Sequence, residues 1–353
     1  MISEITKKAI ALLKDLIETS SFSGEEEGTA AIIEQWLVNN KLSFQRENNN
    51  IWIKNRYFDS HKPSILLNSH HDTVKPNLGY TKDPFKVEAS DGKIYGLGSN
   101  DAGASLVSLI AAFTYFYNSE KLKYNLVLLA SAEEENSGPH GIRSVIPKLP
   151  EIDFAIVGEP TSMQLAIAEK GLLVLDCYAY GKAGHAAHGV GDNSIYKAMK
   201  DISWFENYRF PRISKTLGEV KMTVTQINAG KQHNVIPATC HFVVDVRTTD
   251  KYSNIEALKI INENVDVEVK ERSLLKNSSF IAIDHPIVKA GQKLNREIYG
   301  SPTLSDQANL DCPSLKIGPG DSLRSHTADE FIYVKDIEEG IKIYIDLLKN
   351  VIV

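Results

Sequence analysis

The stretch Ile65-Leu66-Leu67-Asn68-Ser69-His70-His71-Asp72-Thr73-Val74 decides how the chain is read. Its first four residues have the apolar run of a buried strand. Side chains two positions apart on an extended backbone share a face, so His70 and Asp72 project together from the strand's end. An imidazole that ligates a metal needs a nearby acceptor to fix its orientation, and Asp72 is placed to supply one. The same residues could also sit in a solvated loop, so this stretch alone leaves both readings open.

Two more apolar strands end in acids. Residues 124–131 lead into Glu133-Glu134-Glu135, and Phe154 to Val157 leads into Gly158-Glu159-Pro160-Thr161. Three adjacent carboxylates repel one another and need solvent or cations; beside a metal, one could ligate while another stays free as a base. Neighbours on an extended strand point to opposite faces, so the chain must turn at this triplet if two of them are to reach one site. Gly96-Leu97-Gly98-Ser99-Asn100-Asp101-Ala102-Gly103 precedes an apolar helix over 104–116, which places Asp101 at a helix start, where an N-cap would also suit it. The spacing is not GxGxxG and no Lys-Ser/Thr follows, which argues against a phosphate loop. Helices are expected over 2–18 and after Ser23, read as an N-cap with Glu26 three residues on. Two short strands are expected within 42–54. Strands separated by helices imply a mostly parallel α/β sheet, and ligands bind outside the carboxyl ends of such strands.

The pattern then changes. Residues 171–180, 221–228 and 239–247 read as strands, and 194–207 and 254–264 as helices. Together they form an α+β segment set into the first domain. It carries Gly184-His185-Ala186, Asn234-Val235-Ile236-Pro237 and Asp245-Val246-Arg247. After about residue 283 the first pattern resumes with a helix over 286–299, a strand from Ser314 to Ile317, Gly318-Pro319-Gly320, His326 and an amphipathic helix over 334–349. The expected domains are therefore 1–169 with 284–353, and 170–283.

Length and composition suit two globular domains: 353 residues, 42% hydrophobic and 24% charged. A net charge of −6 with no basic block argues against nucleic acid or an anionic membrane as partner. Cys177, Cys240 and Cys312 are sparse and lack CxxC spacing, which points to reduced thiols and a cytoplasmic setting. Cys240 and Cys312 are read as small buried hydrophobes. Met1 to Lys8 has no secretory pattern, and no apolar run approaches the roughly eighteen residues of a membrane span.

Taken in order, the strand-end and loop motifs resemble the metal-dependent aminoacylase and carboxypeptidase family. That family includes acetylornithine deacetylase, succinyl-diaminopimelate desuccinylase and glutamate carboxypeptidase. The resemblance covers nearly the full length, and it rests on seven motifs occurring in family order. It implies a zinc-exopeptidase-like catalytic domain with an inserted lid, 170–283, that also makes a homodimer. It further implies two divalent ions, zinc or cobalt. His70 and Glu159 would hold one ion, Glu135 and His326 the other, and Asp101 would bridge both. Asp72 would orient His70 without touching metal, and Glu134 would be the general base. His185 would stabilise the oxyanion, reaching the metal site of the partner subunit when the lid closes. Arg247 and Asn234 would read the α-carboxylate of an N-acyl amino acid. The family usually has Asp-Glu-Glu where this chain has Glu133-Glu134-Glu135, and spacing picks the last two as base and ligand. The implied reaction removes an acetyl or succinyl group from an amino acid, with N-acetylornithine or an N-acylcitrulline of arginine biosynthesis as expected substrates. Succinyl-diaminopimelate desuccinylase, a metallo-dipeptidase or carboxypeptidase, and an inactive metal-binding partner module are the alternatives.

Overall fold

The computed structural model describes residues 2–353. The chain divides into two compact units: residues 1–167, 280–299 and 305–353, and residues 168–279 with 300–304. The expected boundaries lie a few residues further along the chain. Residues 300–304 were not expected in the second unit.

A nine-stranded sheet frames the first unit. The strand Ser64–His70 is buried at every position and runs parallel to Asn125–Ser131 on one side and Phe154–Val157 on the other. Ser314–Lys316 runs parallel to Phe154–Val157. Toward the edges the pairing turns antiparallel, with Asn50–Lys54 against Asn125–Ser131 and Leu165–Glu169 against Ser314–Lys316. The parallel centre brings three strand ends to one rim. Helices cover the sheet because their apolar residues recur every three or four positions. Ile2–Ile17 buries Ala9, Leu12, Leu13 and Leu16, and Val334–Ile352 buries Ile337, Ile341, Tyr344 and Leu348. Ala104–Phe116 is apolar almost all round and lies inside the core.

The second unit is a four-stranded antiparallel sheet in the order Lys221–Ala229, Thr239–Arg247, Leu173–Tyr180, Glu268–Glu271. Leu173, Leu175, Cys177 and Ala179 alternate inward, sharing a core with Phe205 and Ala257 from the helices Ser194–Asn207 and Asn254–Asn262. Asn193 caps the first helix, and a Ser253/Glu256 capping box starts the second. The other face of the sheet carries Asp176, Tyr178, His241, Asp245 and Arg247.

Some local expectations are corrected. Ser23 caps no helix: the second helix is Glu27–Asn39 without a side-chain cap, and the Ser23 hydroxyl donates to Asp72 instead. Asp101 is no N-cap either, because a wide turn, Ser99–Gly103, precedes the helix. The helix expected over 286–299 stops at Lys293, where Asn295 takes a left-handed conformation (φ 58°), and a strand, Ile298–Ser301, follows. A small sheet of Glu88–Ser90, Lys93–Tyr95 and Phe331–Tyr333 was not expected. All three cysteines are free; Cys177 and Cys240 are buried, whereas Cys312 is only half-buried. Among the described residues no helix is long and apolar enough to cross a membrane.

Candidate metal centre

His70 ends its strand with its ring buried. Nδ1 lies 3.0 Å from the Asp72 backbone carbonyl and so carries the proton, which leaves the Nε2 lone pair free. That Nε2 is 3.4 Å from Asp101 Oδ1 and 3.7 Å from Glu159 Oε1. On the other side, His326 Nε2 is 3.0 Å from Glu135 Oε2 and 3.8 Å from Asp101 Oδ2. The five side chains thus form two trios sharing Asp101, one carboxylate oxygen facing each. A tetrahedral ion with bonds of about 2.1 Å sets its ligand atoms roughly 3.4 Å apart, close to these separations. Imidazole and carboxylate donors without sulfur suit a divalent transition ion, so the residues present fit a pair of ions.

The charges make the same point. Burial pushes Glu134 and Glu159 well above the ordinary carboxylate range, and neighbouring carboxylates add to it: Glu159, Asp306 and Glu135 around Glu134, and Asp101 and Glu135 around Glu159. Hydrogen bonding to Glu135 and the charge of Asp101 raise His326 to about 9. Acids packed this closely call for cations.

The Glu133-Glu134-Glu135 segment does turn. Glu133 adopts φ 52°, and its carboxylate leaves the site to accept the His140 amide at 2.9 Å. Glu135 joins the His326 trio, while Glu134 belongs to neither trio. The turn is held by Asp72, whose two oxygens accept the Glu134 and Glu135 amides, both at 3.0 Å, and the Ser23 hydroxyl at 2.7 Å. Asp72 Oδ1 is 3.5 Å from His70 Nδ1. Asp72 therefore orients His70 through both its backbone carbonyl and its carboxylate, which also accepts the amides of the next two acids. Burial acts against ionisation of Asp72, but the His70 and Ser23 bonds and the amide donors outweigh it and hold its pKa near 2. His71 points away and bridges Thr29 and the Asn49 carbonyl.

Glu330 was not anticipated. It is 2% exposed and accepts the backbone amides of Gly98, Asn100 and Asp101 at 3.0, 2.8 and 2.9 Å. Burial and the Asp101 charge push it up to about 8, and the three amides act against that shift. No periodicity or spacing could have announced it, because its partners are main-chain groups of a loop.

The remaining expected residues lie in the second unit. Gly184–His185 pairs with Val235–Ile236, and the Ala186 amide donates to the Asn234 carbonyl at 3.0 Å, so His185 and Asn234 share one ribbon. His185 is exposed. Arg247 ends the strand Thr239–Arg247, with its guanidinium on Asp245 at 2.8 and 2.9 Å. Asn234 precedes the start of that strand and Arg247 is its last residue, and at about 3.3 Å per residue the strand itself spans roughly 26 Å. Arg247 and Asn234 therefore sit toward opposite ends of one strand of a single chain.

The chain is similar to several known proteins along most of its length. Acetylornithine deacetylase of Buchnera aphidicola is 28% identical over 314 residues, covering 83% of this chain and 82% of that protein. Succinyl-diaminopimelate desuccinylase of Wolbachia pipientis (from Culex pipiens) is 26% identical, covering 97% and 92%. A tripeptidase from Staphylococcus aureus superposes with a TM-score of 0.79 at 18% identity, covering 98% of each chain. A Bacillus subtilis dinuclear metal binding peptidase superposes at 0.73 with 15% identity, again covering 98% of each. These two structures share the fold. The model of peptidase family M20/M25/M40 matches residues 66–350, and with the metal-ligand geometry above, this places the chain in that family of metal-dependent hydrolases.

Proposed function

We propose that the protein is a two-metal amidohydrolase that frees an amino acid from an N-acetyl or N-succinyl group, in the manner of an acetylornithine deacetylase. The observation that carries this is Asp101 shared between two trios, with Glu134 beside them and in neither. Zinc or cobalt fits the donor set. Bound ions would supply positive charge that acidifies a water and polarises the acyl carbonyl. Glu134, fixed through its backbone amide by Asp72, takes the water's proton and passes it to the leaving amine. Asp72 and Glu330 keep the ligand-bearing loops in register. The substrate names of the two relatives support an N-acyl amino acid, and ornithine or citrulline derivatives of arginine biosynthesis are the preferred substrates. The tripeptidase fold neighbour gives peptide cleavage as the second reading.

The test is a panel of N-acetyl- and N-succinyl-ornithine and -citrulline, N-succinyl-diaminopimelate and dipeptides, assayed for free amine with added zinc or cobalt. Turnover of an N-acyl amino acid that a chelator abolishes is expected. Cleavage of peptides alone would favour the second reading, and no metal-dependent turnover would overturn both. The panel includes α-amides of the best substrates, because Arg247 is assigned to the free α-carboxylate. Asp245 fixes its guanidinium and leaves other N–H groups for a second carboxylate. The amides should be cleaved at least about tenfold more slowly, the worth of a charge-assisted hydrogen bond. Equal rates would refute the role of Arg247.

The proposal includes a homodimer built through the second unit. The placement of Arg247 at the far end of the strand that follows the His185/Asn234 ribbon supports two chains supplying these residues to one substrate. The exposed edge strand Lys221–Ala229, with Ile227 outward, offers an unpaired ladder for a second copy. Glu134→Ala and His185→Ala variants, each inactive, should regain activity when refolded together, up to half of a wild-type dimer's activity in each mixed dimer. No recovery in proven mixed dimers would assign His185 to its own chain or to no catalytic role.

A further inference from the structure

We propose that Glu330 is a positioning residue that fixes Asp101 so that its two oxygens can serve two ions at once; the inference rests on the dinuclear proposal above. Asp101 faces His70 with Oδ1 and His326 with Oδ2, so a modest rotation of its loop would surrender one side. The loop has little helical order of its own. Asp101 departs from helical geometry (φ −118°, ψ 100°), and within the wide turn the Gly103 amide reaches back to the Gly98 carbonyl. The amides of Gly98, Asn100 and Asp101 instead converge on the Glu330 carboxylate, two on Oε1 and one on Oε2. A buried carboxylate taking three amides fixes the direction of each, including that of Asp101 itself.

Glu330 also joins two ligands. It lies four residues after His326 and immediately precedes the strand Phe331–Tyr333, which pairs with Lys93–Tyr95 just ahead of the Asp101 loop. Its backbone carbonyl accepts the Gly96 amide at 3.0 Å. The segment that carries His326 thus grips the loop that carries Asp101, and those two residues belong to the same trio. Asn100, between the gripped amides, is tied to the Asp321 backbone at 3.0 and 3.1 Å, which holds the loop from a second side.

The experiment compares wild type, Glu330→Gln and Glu330→Asp as metal-free proteins. Each is titrated with Co²⁺, following cobalt absorption and equilibrium dialysis, and each metal-free Tm is recorded. Gln keeps the size but puts a donor where an acceptor is required; Asp keeps the charge but falls short of the amides. At least one Co²⁺ dissociation constant should rise about 10–100-fold in a folded variant, the usual effect of losing a group that orients a ligand. Wild-type affinities in either folded variant would overturn the proposal. So would a lowered Tm with unchanged affinity, or failure of both variants to fold, since Glu330 would then serve folding alone. A wild-type protein that takes up no second ion would overturn the dinuclear proposal instead.

Discussion

Glu134→Gln should lower kcat by about 10²–10⁴-fold, the usual cost of losing a general base, and leave the metal content unchanged. Glu134 and Glu135 are adjacent in sequence and differ in what they face. The left-handed turn at Glu133 and the two amides held by Asp72 send Glu135 to His326 and Asp101, while Glu134 stays outside both trios. Burial and the surrounding carboxylates favour its protonated form, so it is built to receive a proton in the presence of cations that offset those charges. Gln has the same shape and cannot take a proton. Metal analysis beside steady-state kinetics checks the assignment. Loss of an ion with near-normal kcat would move the base to a neighbouring residue.

Asp101→Ala should be at least as damaging, since it removes a ligand from both trios. Lewis-acid stabilisation by a metal is worth several kcal/mol, so a loss of at least about 10³-fold in kcat/KM is expected. Dialysed protein should retain less than two ions per chain. The metal-free Tm should stay near that of the wild type, because the change relieves carboxylate crowding and leaves the Asp101 amide free to bond Glu330. His326→Ala removes a ligand from one trio only and should leave the other ion in place. An Asp101→Ala protein that keeps two tight ions would contradict the shared-ligand geometry.

The central sheet was legible because its strands are unbroken apolar runs that end in His70, the glutamate triplet and Glu159. Helices between the strands imply a parallel sheet, and parallel order puts such ends on one rim. The resemblance then supplied the partners His326 and Asp101, and the structure brings all five side chains together. Other features depend on groups that sequence patterns do not encode. Ser23 before an acid reads as a helix cap, yet a distant carboxylate, Asp72, competes for its hydroxyl more effectively. Asp72 reads as the partner of the His70 ring, and the amides of Glu134 and Glu135 that its carboxylate also accepts were not legible. The 286–299 helix fails at Asn295 because a left-handed residue ends it before the apolar pattern does. Glu330 was hidden because its role is written in the backbone of residues 98–101. The separation of Arg247 from Asn234 follows from the length of one strand, which motif order alone does not reveal.

In the proposed enzyme five side chains hold two ions, with Asp101 shared between them. Crystals grown with zinc and measured by anomalous scattering at the zinc edge test it most directly. Two peaks roughly 3.5–4 Å apart are expected. One should lie on His70 and Glu159, the other on Glu135 and His326, with Asp101 touching both. A single peak, or two peaks that share no contact with Asp101, would contradict it.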